Sequence, residues 1–270
     1  MGLFDIFKRE EPTAKADRLV IEDEDTTEVD EELEEEEELL RDKEAPEDRE
    51  ENGPFDEDDD QNVGNVIDFG SLRIPMVEGL GLRLEVQEQT KRLVAIALDH
   101  AGSSVQVQAF AAPRSSGLWA SVREQLVEQL SKQGGTVVER DTELGTALYA
   151  KVPVVAGGKP ERRVEFIGVD GPRWFLRGVI TGQATVDDEA HRKLYEIFRG
   201  LTVVRGAHPV PPRDLLPLKV PEVMAQQMAA AQAAAHAQQD AALTPEQQVE
   251  KRAQQKVRDQ LRKQQNGGER

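Results

Sequence analysis

The chain has no cysteine among its 270 residues, so it has no disulfide, thiol nucleophile or cysteine-ligated metal. A small secreted scaffold held by disulfides is therefore excluded, and we expect a reducing, cytoplasmic location. No apolar run approaches the roughly 20 residues that a membrane-spanning helix needs. The amino terminus also lacks the apolar segment and cleavage site of a signal peptide, so we expect neither an exported nor an integral membrane protein.

Catalytic and cofactor-binding motifs are also missing. No Gly-x-Ser-x-Gly sequence occurs, and the glycines at 79–81 and 157–158 do not fit a dinucleotide-binding or phosphate-binding loop. The sequence therefore predicts no catalytic residue, no cofactor and no metal site, and it favours a protein that is not an enzyme. The histidines have no second ligand at metal-binding spacing, and we expect them on the surface: His100, His191, His208 and His236.

Acidic charge is concentrated at the amino terminus. Residues 1–60 contain 28 acidic and 7 basic residues, a net charge of −21 against −18 for the whole chain, so the remainder sums to +3. From residue 22 to 60 there are too few apolar residues to offset an ordering entropy of about 1–2 kcal/mol per residue. We therefore predict a disordered acidic arm over residues 1–62.

The first ten residues offer a separate hypothesis. Leu3, Phe4 and Phe7 would share one side of a short helix, with basic residues beside them, which is typical of contact with an anionic membrane surface. Isolated helices this short are marginal in water, so a frayed terminus is the alternative.

Residues 63–220 show the periodicities of an α+β domain. Alternating apolar residues over 82–86, 94–98 and 105–109 predict an antiparallel meander. Five further strands are expected at 136–139, 146–155, 163–169, 173–181 and 201–204. Apolar residues at helical spacing predict a helix over 118–132 and a second from about Asp187. The predicted fold is a mostly antiparallel sheet with two main packing helices.

Residues 221–270 form an Ala- and Gln-rich linker and tail. Thr244-Pro245 is a favourable helix start, and it predicts a helix over 245–264.

The hairpin around residues 168–178 is the densest candidate for binding. Alternation puts Arg173, Phe175 and Arg177 on one face, where two guanidiniums are suited to a carboxylate, phosphate or acidic peptide. This hypothesis predicts a pocket between the sheet and the 118–132 helix. The alternative is a core hairpin whose arginines are solvated or pair with Glu165 and Asp170. Arginines beside prolines at the sheet borders complete the candidate interaction residues: Arg114, Arg173, Phe175, Arg177 and Arg213.

Four segments in this order resemble the DUF3710 family of actinobacteria: Leu72-Arg73-Ile74-Pro75 and the segments at 106–114, 168–178 and 212–218. The resemblance covers about residues 55–220. It implies an actinobacterial cytosolic protein, and it brings no accepted activity, cofactor or catalytic residue. The order of elements is also similar to the Mog1/PsbP-like fold, whose members are typically non-catalytic binding or assembly factors.

These observations favour a non-enzymatic interaction protein whose acidic arm engages an unknown basic partner or the domain's own arginines. The alternatives are a domain that binds a small anionic ligand through Arg173 and Arg177, and membrane attachment through Leu3, Phe4 and Phe7. Direct nucleic-acid binding is not expected, because no basic stripe with interleaved aromatic residues exists and the arm repels phosphate.

Overall fold

The computed structural model describes residues 41–59, 65–87, 89–90, 92–153, 161–222 and 224–226. The chain divides into two compact units, Met1–Lys219 and Val220–Arg270. The predicted membrane-contacting segment at Leu3, Phe4 and Phe7 and the predicted tail helix at 245–264 lie outside the described residues.

Most strands of the first unit are antiparallel. In chain order the strands are β1 Phe55–Asp56, β2 Val66–Asp68, β3 Leu72–Pro75, β4 Gly81–Val86, β5 Leu93–His100, β6 Ser103–Ala111, β7 Thr136–Thr142, β8 Gly145–Pro153, β9 Glu161–Asp170, β10 Trp174–Gly182 and β11 Thr202–Val203. Seven of them form an antiparallel sheet in the order β4-β5-β6-β10-β9-β8-β7. The predicted meander is its β4-β5-β6 part, and the α+β prediction is confirmed.

A second, four-stranded sheet has the order β1-β11-β3-β2, with β1 parallel to β11. The sequence predicted the strand at 201–204, which corresponds to β11, but not the sheet around it. The strands of this sheet have only two to four residues and are too short to show an alternating pattern.

Among the described residues between 41 and 219, the α-helices are α1 Arg49–Asn52, α2 Trp119–Lys132 and α3 Asp188–Arg199. Helix α2 lies on one face of the large sheet, where Trp119, Val122 and Leu126 join a core cluster with Phe110 and Phe166. Helix α3 buries its own apolar side, including Leu194 and Phe198. The two predicted packing helices are thus confirmed.

Two glycines of the β9–β10 hairpin permit close packing on both sides of the sheet. A Cβ atom on Gly168 would lie 2.4 Å from the Trp119 ring, and one on Gly178 would lie 2.7 Å from the Ile167 Cγ1 atom. Since ordinary carbon contacts are about 3.5–4.0 Å, only glycine fits at these positions.

The folded domain begins before residue 63, which corrects the predicted arm boundary. Within 41–59, the described residues include α1 and β1, and Asp56 accepts a hydrogen bond from the Trp174 indole at 2.6 Å. Lys43 donates to the carbonyl oxygens of Gly171 and Pro172 at 2.7 and 2.6 Å. Composition alone predicted disorder for these polar residues. The contacts that stabilise them are made with partners more than 100 residues away, which composition does not show.

The Asp170 carboxylate joins three parts of this domain. It lies in the interior and accepts backbone N–H bonds from Leu118 at 2.8 Å, Trp119 at 3.3 Å and Glu44 at 3.1 Å. Burial raises the pKa of Asp170, and the hydrogen bonds oppose that rise. The carboxylate thereby satisfies the first N–H groups of α2, which have no partner within their own helix.

We predict that Asp170→Ala lowers the free energy of unfolding by about 3 kcal/mol, because buried backbone donors lose their acceptor. Asp187→Ala is the matched control, since Asp187 caps α3 at the surface by accepting from the Ala190 N–H at 2.8 Å. That change is expected to cost about 1 kcal/mol. Urea denaturation of both full-length variants compares the two losses, and an equal loss would contradict the role assigned to Asp170.

Candidate functional site

Two of the predicted interaction residues lie in the interior. Phe175 is 0% exposed and stacks on Phe110 and Trp119, with ring centroids 5.8 and 5.9 Å apart. Arg177 is 1% exposed, and its guanidinium lies 6.0 Å from the centre of the Phe166 ring. Burial lowers the pKa of Arg177 to about 10. The space expected to form a pocket beneath α2 is, around Phe175, filled by packed aromatic rings.

The suggested carboxylate partners of these arginines have other roles. Asp170 binds the backbone N–H groups at the start of α2, as described above. Glu165 lies directly opposite Ile180 on the neighbouring strand, whereas Arg177 lies opposite Gly168. Because successive residues of a strand point to opposite faces, Glu165 and Arg177 lie on different faces of the sheet.

The backbones of the other three candidates lie near the end of β6. The Ala112 N–H donates to the Arg173 carbonyl oxygen at 3.1 Å, and the Arg213 N–H donates to the Ala111 carbonyl oxygen at 2.8 Å. Arg114 follows two residues after Ala112 and is exposed, whereas Arg173 and Arg213 are half-buried. We call Arg114, Arg173 and Arg213 the arginine surface.

The arginine surface lies beside the start of α2. The Arg213 guanidinium is 3.4 Å from the Ser121 hydroxyl oxygen in the first turn of that helix. Arg213 has a φ of 68°, a left-handed conformation that is uncommon for residues other than glycine. Lys43 reaches the same region, because it donates to the carbonyl oxygen of Pro172, the neighbour of Arg173.

A second cluster lies on the opposite face of the sheet, around the buried carboxylate of Glu165. Glu165 is 0% exposed. It accepts a hydrogen bond from the Tyr195 hydroxyl at 2.5 Å, and its other oxygen lies 2.9 Å from His191 Nε2. The His191 and Tyr195 rings also pack together, with centroids 4.2 Å apart. Strand β9 thus supplies the acid and α3 supplies both partners.

The charge of Glu165 affects its neighbours. Its hydrogen bond raises the pKa of His191, whereas partial burial acts in the opposite direction. Burial, followed by the Glu165 charge, raises the pKa values of Tyr195 and Tyr149 above their ordinary range. The hydrogen bond to Glu165 also orients the His191 imidazole, which lines a cavity of about 590 Å³. A protonated ring there is able to donate a hydrogen bond to an anion.

Comparison with known families identifies the chain at the level of its domain. The family described as "Protein of unknown function (DUF3710)" matches residues 53–227. The chain belongs to the DUF3710 family. A comparison with curated proteins found no match.

The DUF3710 match contains the β9–β10 hairpin, the arginine surface and the Glu165 cluster, whereas most of the acidic amino-terminal segment precedes it. No helix in the described part of this DUF3710 protein is long and apolar enough to cross a membrane. The described residues also contain no group of three or more potential metal ligands of the His, Cys, Asp and Glu types.

Sequence reasoning missed the Glu165 cluster in this DUF3710 domain. His191 was predicted to be an isolated surface residue, whereas its side chain is one-quarter exposed (25%) and pairs with a carboxylate 26 residues earlier. The available signal was Glu165 itself, a charged residue within the apolar run Val164 to Val169. A carboxylate in such a strand requires a hydrogen-bonding partner when it is buried.

We predict that His191→Gln weakens the pH dependence of stability as the pH rises above 6.5. The raised pKa of His191 means that the protonated ring contributes stability fully below its unfolded value of 6.5, and this contribution is lost as the pH rises through the folded-state value. Glutamine has no such titration, although its amide is able to donate to Glu165.

Urea denaturation of the wild type and His191→Gln across this pH range measures the difference. The charged groups that act on His191 are Glu165, Asp188 and Glu143, and all three remain in the variant. His208→Gln is the control, because His208 is exposed and lies in the proline-rich segment 208–212. A difference between wild type and His191→Gln that is constant with pH would contradict the prediction.

Proposed function

We propose that this DUF3710 protein is a non-enzymatic interaction or assembly factor of the cytosol. Its acidic segment binds basic protein surfaces, either on a partner or on the arginine surface of its own domain. The observation that carries the proposal is the concentration of acidic charge ahead of the folded residues: residues 1–40, the acidic segment, have 17 acidic and 4 basic residues, a net charge of −13, whereas the remaining 230 residues sum to −5. The position of the Arg114, Arg173 and Arg213 backbones near the end of β6 supports the second possibility.

The acidic segment and the arginine surface are chemically complementary. Guanidinium groups bind carboxylates through paired, charge-assisted hydrogen bonds, which makes arginine better suited than lysine to a Glu-rich ligand. The segment at 31–38 has seven glutamates in eight residues. Because the segment and the arginine surface belong to one chain, their association is intramolecular and is favoured by a high effective concentration.

A basic partner and the arginine surface would compete for the acidic segment, and this competition would make the arrangement regulatory. A basic partner that binds the acidic segment would release the arginine surface, and the released surface would then be accessible to an acidic partner. Both interactions weaken as salt shortens the Debye length from about 10 Å at 0.1 M to about 3 Å at 1 M. The interior position of Arg177 does not favour the alternative of an anion clamp formed by Arg173 and Arg177.

The test of the intramolecular form uses cleavage by a glutamate-specific protease within residues 22–40 of the full-length protein. We expect the variant Arg114→Glu, Arg173→Glu, Arg213→Glu to be cleaved several times faster than the wild type at low salt, because its acidic segment is repelled. High salt should bring the wild type to the same rate.

The control carries the same change of charge at three exposed arginines elsewhere, Arg92→Glu, Arg162→Glu and Arg192→Glu. Equal cleavage of all three proteins at low salt would exclude the intramolecular form. Co-purification at low and high salt then tests the partner form with a variant whose glutamates at 34–38 are glutamines. A partner set that this variant retains unchanged would exclude that form as well.

A further inference from the structure

The cavity beside the Glu165 cluster lies on the open face of β7, β8 and β9. Its volume is about 590 Å³, within the range of about 300–1,000 Å³ found for small-molecule sites. The segment 184–188, which leads into α3, forms the opposite wall, and His191 lies at its edge. This cavity shares no lining residue with the arginine surface.

Two cations face each other on the cavity floor. Lys151 of β8 and Arg163 of β9 are directly opposite in the antiparallel register, both are exposed, and both line the cavity. Like charges in such a pair oppose folding. Within the described parts of the chain, neither side chain forms an ion pair, so no paired carboxylate offsets the repulsion. A bound anion would offset it.

Of the three carboxylates that line the cavity, Glu165 and Asp187 are engaged by other groups, and Asp188 lies in the first turn of α3. Glu165 is held by Tyr195 and His191, and the Asp187 carboxylate accepts the Ala190 N–H as the cap of α3. Arg140 adds a third cation to the cavity wall, with its guanidinium 4.7 Å from the centre of the Tyr149 ring. Among the described residues none of these three cations forms an ion pair, and each is able to contact a ligand in the cavity.

Apolar surface completes the cavity. Val138 on the sheet and Val186 on the opposite wall are 54% and 60% exposed. They are two of the four large hydrophobic residues that are exposed in the described part of the chain. Valines at these positions are suited to the apolar body of a ligand whose charged group reaches the cations.

We propose that this cavity binds a small organic anion, a carboxylate or a phosphate ester. Its anionic group lies between Lys151 and Arg163, and its apolar body lies between Val138 and Val186. His191, oriented by Glu165, donates a hydrogen bond to a polar group of the ligand. This site is independent of the acidic segment, so it stands or falls separately from the proposed interaction function.

Calorimetric titration of the full-length protein at constant ionic strength tests the site. The probes are hexanoate and phenyl phosphate, which have an apolar body, and acetate and inorganic phosphate, which do not. We expect saturable binding of hexanoate, phenyl phosphate or both below about 10 mM, and weaker binding of the matching small anion. The probe that binds more tightly distinguishes a carboxylate from a phosphate ligand.

Three variants localise the binding. Lys151→Gln, Arg163→Gln should weaken it at least about tenfold, because two charge-assisted contacts are lost. Arg162→Gln, on the opposite face of β9, is the matched control and should bind like the wild type. Val186→Ser should weaken the binding of the probes that have an apolar body more than the binding of the small anions.

The site would be overturned by absence of saturable binding of hexanoate and phenyl phosphate up to about 10 mM. Equal affinities of the wild type and the Lys151→Gln, Arg163→Gln variant would also overturn it. A loss of affinity in Arg162→Gln as large as that of the double variant would show a general charge effect and would likewise exclude the site.

Discussion

The buried carboxylate of Asp170 holds together the parts of the domain on which the rest of the fold depends. It ends β9, one of the central strands of the large sheet, and its oxygens bind the start of α2 and the backbone of Glu44. A helix start, a sheet centre and an early segment of the chain are thereby joined by one side chain. The turn of the β9–β10 hairpin is consequently a structural junction.

The two faces of the β9–β10 hairpin differ in the side chains that they carry. On the face beneath α2, Phe175 and Arg177 are enclosed, and Gly168 allows the Trp119 ring to approach the backbone. On the other face, the buried Glu165 side chain contacts α3, where its carboxylate is hydrogen-bonded to Tyr195 and His191. A sequence segment dense in arginine and aromatic residues is thus largely core, and the chemically versatile groups lie on the reverse face.

Local patterns predicted the large elements of the fold. Alternation along Leu82 and Leu84 indicated the β4–β5 hairpin, and the spacing from Trp119 to Leu130 indicated α2, because each pattern reports burial of one side of one element. The pairing of Glu165 with His191 depends on strand register and helix placement, which local patterns do not contain. The ordering of residues 41–59 depends in the same way on distant partners such as Trp174 and Asp170.

The parallel pairing of β1 with β11 has a consequence for the synthesis of the protein. Phe55 lies opposite Thr202, so the strand made first waits for nearly 150 further residues before its partner exists. Contacts this distant in sequence form late, after the ribosome has released most of the domain. The acidic residues of 22–38 precede both strands, so the nascent chain carries their negative charge throughout the interval in which β1 has no partner.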